Sequence, residues 1–474
     1  MHSDMKNDFS SLNGVRLGRI LRPTVLGVCL LVSSVTSAQN QVSSTQADTR
    51  TQGHMPENLL ISLRDEQRTD QIRQHAWKVF ASLTQTHSQS ATATPIWDTW
   101  NTTRETFSAT DPCHPASQGV RERTLQFPRE ILAEALAVSH HGPVEATLLP
   151  LITLFSDSGR SVLSEVLYNP AACRHIAEMR DLRDLRASLS QLKTPASELE
   201  IPPFPPDSII VKASWRPIPT EGIDSFEVWD SPDPSKLNCS AGCVRTIKVK
   251  PSDDKCQLSA PVISTSCFYN IPVTKENIGL FSSSEWQVSV GDVWVLIGLH
   301  IITKEVPDWT WTTFWWHDDP DSGRFGVDKP PFVRREWRNY RMDTSLSMDT
   351  PWEEQSFKDD AFAGVDACGQ TWRTPSKSKV IFNPYLEGAI KGALHMNYSN
   401  CVNCHSRSTF ESTIGVEGGT PWRGYLSPTS SCFSDKMRLD YLWSLPHSSV
   451  DPSMKALLDA LSAALDAKFH TKSQ

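Results

Sequence analysis

Residues 292–306 read DVWVLIGLHIITKEV, and the fold class turns on this stretch. It is apolar at odd and even positions alike and rich in Val and Ile, which predicts a central strand covered on both faces, not one with a wet side. The next stretch, DWTWTTFWWHDDPDSG (308–323), puts Trp309, Trp311 and Trp315 on one side of an extended chain and Phe314 and Trp316 on the other. That is the pattern of an aromatic core strand, and equally of a wall against a flat apolar ligand. It ends in His317-Asp318-Asp319-Pro320-Asp321, which lacks the alternating ligands and closing Glu of a calcium loop and reads as a solvated turn.

Working outward, SIIVKASW (208–215), VRTIKVK (244–250) and SEWQVSV (284–290) carry β-branched and aromatic residues between turn-rich stretches such as SPDPS and PSDDK. They predict a sheet domain over 207–375. On its amino-terminal side TPASELEIPPFPP (194–206) holds five prolines, which stop helices and mark a domain boundary. Before it, 58–193 reads as a helical region. Its clearest helix opens at Asn169-Pro170, a cap with proline in the first turn, and runs through Ile176, Met179, Leu182, Leu185, Leu189 and Leu192. Residues 39–57 are polar and read as a flexible leader. In 376–474 the last helix opens at Asp451-Pro452 and turns Leu457, Leu458, Leu461, Leu465 and Phe469 inward.

Residues 1–38 read as a cleaved secretory signal peptide. Lys6, Arg16, Arg19 and Arg22 precede TVLGVCLLVSSV (24–35), an apolar run too short to span a bilayer, and Thr36-Ser37-Ala38 ends in small residues. The segment holds four basic and two acidic residues, so its removal takes the formal charge from −8 to −10 and argues against a nucleic-acid partner. No later run is long and apolar enough to suggest an integral membrane span. Trp is unusually plentiful, 16 against 7 Tyr, and concentrated in mid-chain.

The chain has 11 Cys. Cys29 leaves with the signal peptide, and Cys401 and Cys404 belong to the motif CVNCH (401–405). The other eight, Cys113, Cys173, Cys239, Cys243, Cys256, Cys267, Cys368 and Cys432, suit disulfides in an oxidising compartment. The group 239, 243, 256 and 267 is expected to close on itself, in one of three pairings, with a structural zinc as the rival.

CVNCH supplies the chemistry. Two thiols three positions apart can each add across one vinyl group of a haem, while the adjacent imidazole reaches the iron. Chance gives roughly 0.01 such matches in a chain of this composition. A redox CxxC belongs at a helix start in a βαβ unit, which is not apparent, and a zinc site lacks further ligands at short spacing, the next Cys being Cys432. The motif therefore predicts one covalently attached haem c in a periplasmic or otherwise secreted protein.

CVNCH resembles the attachment site of monohaem c-type cytochromes. The resemblance implies that Cys401 and Cys404 carry the thioethers and that His405 is the proximal axial ligand of the iron. The wider order of signal peptide, WTWTTFWW, late CxxCH and RLDYLW is similar to bacterial periplasmic proteins of the cytochrome c family. A looser, architectural likeness is to mainly β cytochromes, such as β-type cytochrome c prime and the hydroxylamine-oxidising haem proteins. Small all-helical cytochromes carry the motif near the start of their domain, and this chain departs from them.

The sixth ligand decides the use of the iron. A Met or second His gives an electron carrier with a redox-partner protein; an open position gives a small-ligand-binding haem protein or a haem oxidoreductase. Met437 is the best-placed Met, although MRLDYLW also reads as core, and His447, His300 and His317 are alternatives. No other catalytic motif competes, and no catalytic residue is assigned. The expected architecture is α+β: an N-terminal helical region, a Trp-rich antiparallel sheet and a C-terminal haem segment, with the sheet and the haem segment sharing a core through at least one of Trp309, Trp311, Trp315 or Trp316.

Overall fold

The computed structural model describes residues 54–86, 94–108, 113, 121, 123, 125, 162–179, 185, 199–220, 223–229, 244–281, 288–346, 363–365, 371–373, 381, 383–386, 401–410, 412–413, 431–434 and 436–445. The strands are β1 (Asn101–Thr102), β2 (Leu163–Tyr168), β3 (Ile209–Ile218), β4 (Asp224–Trp229), β5 (Val244–Lys250), β6 (Ile263–Ser264), β7 (Asn270–Pro272), β8 (Val293–Thr303), β9 (Thr310–Trp316), β10 (Tyr340–Ser345), β11 (Ala363–Val365), β12 (Thr371–Arg373), β13 (Ser408–Thr409) and β14 (Ser412–Thr413). The main sheet is antiparallel, in the order β1-β2-β3-β8-β9-β10. β8 is its spine: β3 covers one edge along its whole length, while β9 pairs with Gly298–Thr303 and β7 with Val293–Val295 on the other. Ile297 is the extra residue of a bulge opposite Ser214/Trp215. The run that is apolar on both faces is thus the strand with neighbours on both edges, and ten of its eleven residues are buried.

Alternate residues of this sheet feed two cores. Phe314 and Trp316 of β9, Val211, Ala213 and Trp215 of β3, and Leu299 and Ile301 of β8 enter the larger one. The helix α2 (Thr69–Leu83), which follows α1 (Glu57–Asp65), closes that side: Phe80 stacks on Phe314 at 4.0 Å and Trp77 meets the same ring edge-on at 5.5 Å. The opposite parity, Trp311, Ile302, Ile210 and Tyr168, enters the second core. There it meets the helix α4 (Pro170–Glu178), which comes after α3 (Thr103–Ser108) in the chain. Trp315 shares this parity and packs on Trp229 and Phe325. The alternation expected over 309–316 is therefore present.

The α+β class holds, but the layout before residue 207 differs from expectation. Leu163–Tyr168, placed in a helical region, is a strand paired in register with β3, so the sheet recruits it from across the Pro-rich segment. The helix capped by Asn169 is present, with the Asn side chain accepting from the Ala172 N–H at 2.9 Å, and it ends at Glu178. Its expected continuation through Leu192 lies outside the described residues, apart from Leu185. So do residues 1–53, with the expected signal peptide and nearly all of the leader, and the helix expected after Asp451. Residues 199–206 are no free linker: Ile201 and Phe204 are buried in the second core, because proline excludes helix but not packed extended chain. Of the strand expected at 284–290, Val288–Val290 are irregular chain leading into β8, and the rest lies outside the described residues.

Among the described residues, the disulfides Cys113–Cys173 and Cys256–Cys267 tie these pieces, the second inside the group expected to close on itself. The acidic turn at 317–321 is not merely solvated. Arg245 holds both oxygens of Asp318 at 2.7 and 2.8 Å, and Lys329 and Arg338 hold Asp321 at 3.0 and 3.1 Å. Burial, against the pull of Asp321, brings Lys329 down to about 8. A second charge cluster is fully internal: Arg121 and Arg123 each bridge Asp98 and Glu165, with Tyr269 Oη donating to Asp98 at 2.7 Å. Burial alone raises the Asp98 carboxyl, but the guanidiniums of Arg123 and Arg121 outweigh it and hold Asp98 below its ordinary value. Among the described residues, no helix is long and apolar enough to cross a membrane.

Candidate functional site

CVNCH forms a single helical turn, α5 (Cys401–His405). Positions 401, 404 and 405 of the backbone fall within about 100° of rotation, on one side of the turn. Val402 is fully buried, and Cys401, half-buried, packs against the same second core. Val402 thus pins the turn to the body of the protein. The Ser406 N–H donates back to the Val402 carbonyl at 2.8 Å, and the chain then enters the small hairpin β13–β14.

The imidazole of His405 is held from two directions. Its Nδ1 lies 2.7 Å from the backbone carbonyl of Tyr441, and its ring centroid is 4.4 Å from that of Trp311, tilted by 46°. A carbonyl only accepts, so Nδ1 carries the proton and, in the neutral ring, Nε2 carries the lone pair. Of the strand 309–316 it is Trp311 whose ring lies against the motif among the described contacts, and its indole N–H donates to the Asp308 carbonyl at 2.8 Å. Trp309 enters the same core as Val402, whereas Trp316 stacks on Phe268 at 4.1 Å in the other core.

The Tyr441 carbonyl is itself elaborately placed. Segment 437–441 runs between 408–410 and 199–201: Phe410 N–H donates to the Met437 carbonyl, Leu439 N–H to Ser408, Arg438 N–H to Leu199 and Ile201 N–H back to Arg438. The chain then turns through Asp440 (φ 44°) and Tyr441 (φ 71°), two consecutive non-glycine residues in the left-handed region. Such conformers cost about 1–3 kcal/mol each and persist only where the surroundings over-determine them. Here they do. The Asp440 carboxylate, 4% exposed, accepts from Lys304 Nζ at 2.6 Å, from the Phe204 N–H at 3.0 Å and from Trp309 Nε1 at 3.4 Å. Its carbonyl accepts from Trp309 Nε1 at 3.1 Å, and Tyr441 Oη donates to Asp308 Oδ1 at 3.0 Å. Trp309 is left-handed too, at φ 62°. Nearby, burial raises the Glu200 carboxyl although Arg438 sits 2.6 Å away.

The remaining sequence candidates separate. Met437 is fully buried among Val402, Phe410 and Leu439, a core position. His317, also fully buried, accepts from the Asp319 N–H through Nδ1 at 2.8 Å and donates through Nε2 to the Trp229 carbonyl at 3.2 Å, so it is a satisfied core histidine. His300 lies on β8, half-buried, between Lys212 and Thr313 in register. His447 and the side chain of Cys404 lie outside the described residues. Sequence reasoning missed Asp440, Lys304 and Tyr441. RLDYLW marked the segment, but the partners of Asp440 stand 131 to 236 positions away. Among the described residues, no group of three or more His, Cys, Asp or Glu could hold a metal ion, a requirement that a haem, which brings four nitrogens of its own, does not impose. No family model, no curated protein and no solved structure matches this chain.

Proposed function

We propose that this chain is an exported c-type cytochrome with one covalent haem, held through thioethers at Cys401 and Cys404 and through His405 as the axial ligand of the iron. One observation carries the reading: in a CxxCH turn, the imidazole has its Nδ1–H engaged by a backbone carbonyl, which leaves Nε2 as the metal-binding nitrogen and raises its basicity. The donor set fits the group. When bound, the haem supplies one-electron chemistry or binding of a small ligand at iron. The protein's part is to orient His405, to exclude water from one side of the site with Trp311 and Val402, and to keep the motif on a rigid sheet. The disulfides Cys113–Cys173 and Cys256–Cys267 support export, since such bonds persist in oxidising compartments, where the haem is also attached.

The test is production of the full chain, with its leader, in cells that carry the attachment machinery. The pyridine haemochrome spectrum is expected to show one haem per chain, retained through extraction into acidified organic solvent. A haem that extracts, or a chain that stays colourless, overturns the reading. The spectrum of the reduced protein with and without carbon monoxide then separates an electron carrier with both axial positions filled from a haem with an open sixth position.

A further inference from the structure

We propose that Lys304, Asp440 and Trp309 are positioning residues for His405. They lie outside the CVNCH motif and act on the imidazole through the backbone. Their effect passes through the Tyr441 carbonyl, which His405 Nδ1–H needs at 2.7 Å. That carbonyl points where it does because residues 440 and 441 both hold positive φ. Asp440 holds the first of them with its carboxylate, divided between the Lys304 ammonium, the Phe204 amide and the Trp309 indole. The indole N–H also takes the Asp440 carbonyl, and Lys304 Nζ completes the arrangement by donating to the Pro307 carbonyl at 2.6 Å and lying 5.2 Å from the Trp309 ring centroid. Lys304 and Trp309 flank the turn between β8 and β9, so the centre of the sheet reaches the imidazole by two routes: through Trp311 against its ring, and through Asp440 and Tyr441 at its Nδ1. The ion pair is buried at both ends, where a charge-assisted bond is strong and loss of one partner leaves the other uncompensated.

The consequence for a haem rests on the proposed cytochrome function: the hydrogen bond at Nδ1 sets the basicity of Nε2 and with it the reduction potential. The positioning itself does not rest on it. The experiment compares the full-length protein with the charge-balanced double variant Lys304→Met/Asp440→Asn and with Arg73→Gln. The last breaks a buried pairing with Asp328 and Asp343 and touches none of these residues. Two-dimensional ¹⁵N NMR of the histidine side chains reads the tautomer of His405 and the exchange of its Nδ1 proton with solvent, with or without haem.

Exchange is expected to accelerate by about tenfold or more in the double variant, the scale of losing a charge-assisted bond, and to stay unchanged in Arg73→Gln. Equal rates in wild type and the double variant, or equal acceleration in both variants, overturn the proposal. In haem-loaded protein the double variant keeps one haem per chain and shifts its midpoint potential; an unshifted potential overturns the link to the iron. A chain that never acquires haem yet shows the exchange pattern refutes the cytochrome reading and leaves the positioning intact.

Discussion

Replacing Trp311 by Ala tests whether the sheet and the motif share one core. Trp311 sits on β9 opposite Ile302 and Ser345, is 3% exposed, donates its indole N–H to Asp308 and lies against His405, with Tyr441 6.5 Å away. Burying a tryptophan removes about 150–250 Å² from water, which at about 25 cal/mol per Å² is roughly 4–6 kcal/mol as an upper bound. Trp-to-Ala changes in cores cost about 3–5 kcal/mol. Trp311→Ala is therefore expected to lose about 3–5 kcal/mol, of which the indole hydrogen bond contributes about 1 kcal/mol. Trp311→Phe keeps a ring against His405 and is expected to lose only about 1–2 kcal/mol. Urea unfolding of the full chain, followed by far-ultraviolet circular dichroism, measures both. In haem-loaded protein the Soret band reports the motif, and it is expected to shift in the Ala variant and to hold in the Phe variant. A loss below about 1 kcal/mol for Trp311→Ala, with an unmoved Soret band, refutes the shared core.

Three further outcomes follow from the same packing. Residues 376–474, expressed alone behind a signal peptide, are expected not to fold, because twelve of the nineteen described side chains of the second core, among them Tyr168, Ile302, Trp309 and Trp311, come from outside that stretch; a fragment with the spectrum and potential of the whole protein refutes this. In Asp98, Glu305 and Asp328, burial raises each carboxyl, but Arg123 and Arg121, His75, and Arg73 respectively outweigh it, so all three titrate low in the fold. A depressed folded value means that their stabilisation is present above the unfolded value of about 4 and is lost as the pH falls through the folded one. Urea midpoints are thus expected to fall below about pH 4, less steeply in Glu305→Gln, and flat midpoints from pH 7 to 3 contradict this. Removing Cys113–Cys173, which closes a separation of 60, is expected to cost about 4 kcal/mol by loop entropy, against about 3 kcal/mol for Cys256–Cys267 with a separation of 11; calorimetry of the paired Ser variants gives the order, and a reversed order counts against the entropic account.

What the sequence determined by itself is what depends on neighbours in the chain. The two-faced apolar run at 292–302 became the spine of the sheet, the alternation at 309–316 became two faces of one strand, and Asn169-Pro170 started its helix, because pleat, period and cap are set within a few residues. CVNCH was legible for the same reason: a helical turn places three positions on one face without outside help. Tertiary structure decided the rest. Leu163–Tyr168 is a strand because β3 offers it an edge, and Leu199, Ile201 and Phe204 are buried because 437–441 lies against them, neither being visible in local composition. The acidic turn is held by Arg245, Lys329 and Arg338, one of them 73 residues away. Most of all, the carbonyl facing His405 belongs to a residue 36 positions on, bent by a carboxylate whose lysine lies 136 positions back. Charge pairs and backbone strain of that kind are settled only when burial removes water as the competing partner, and burial is a property of the folded chain.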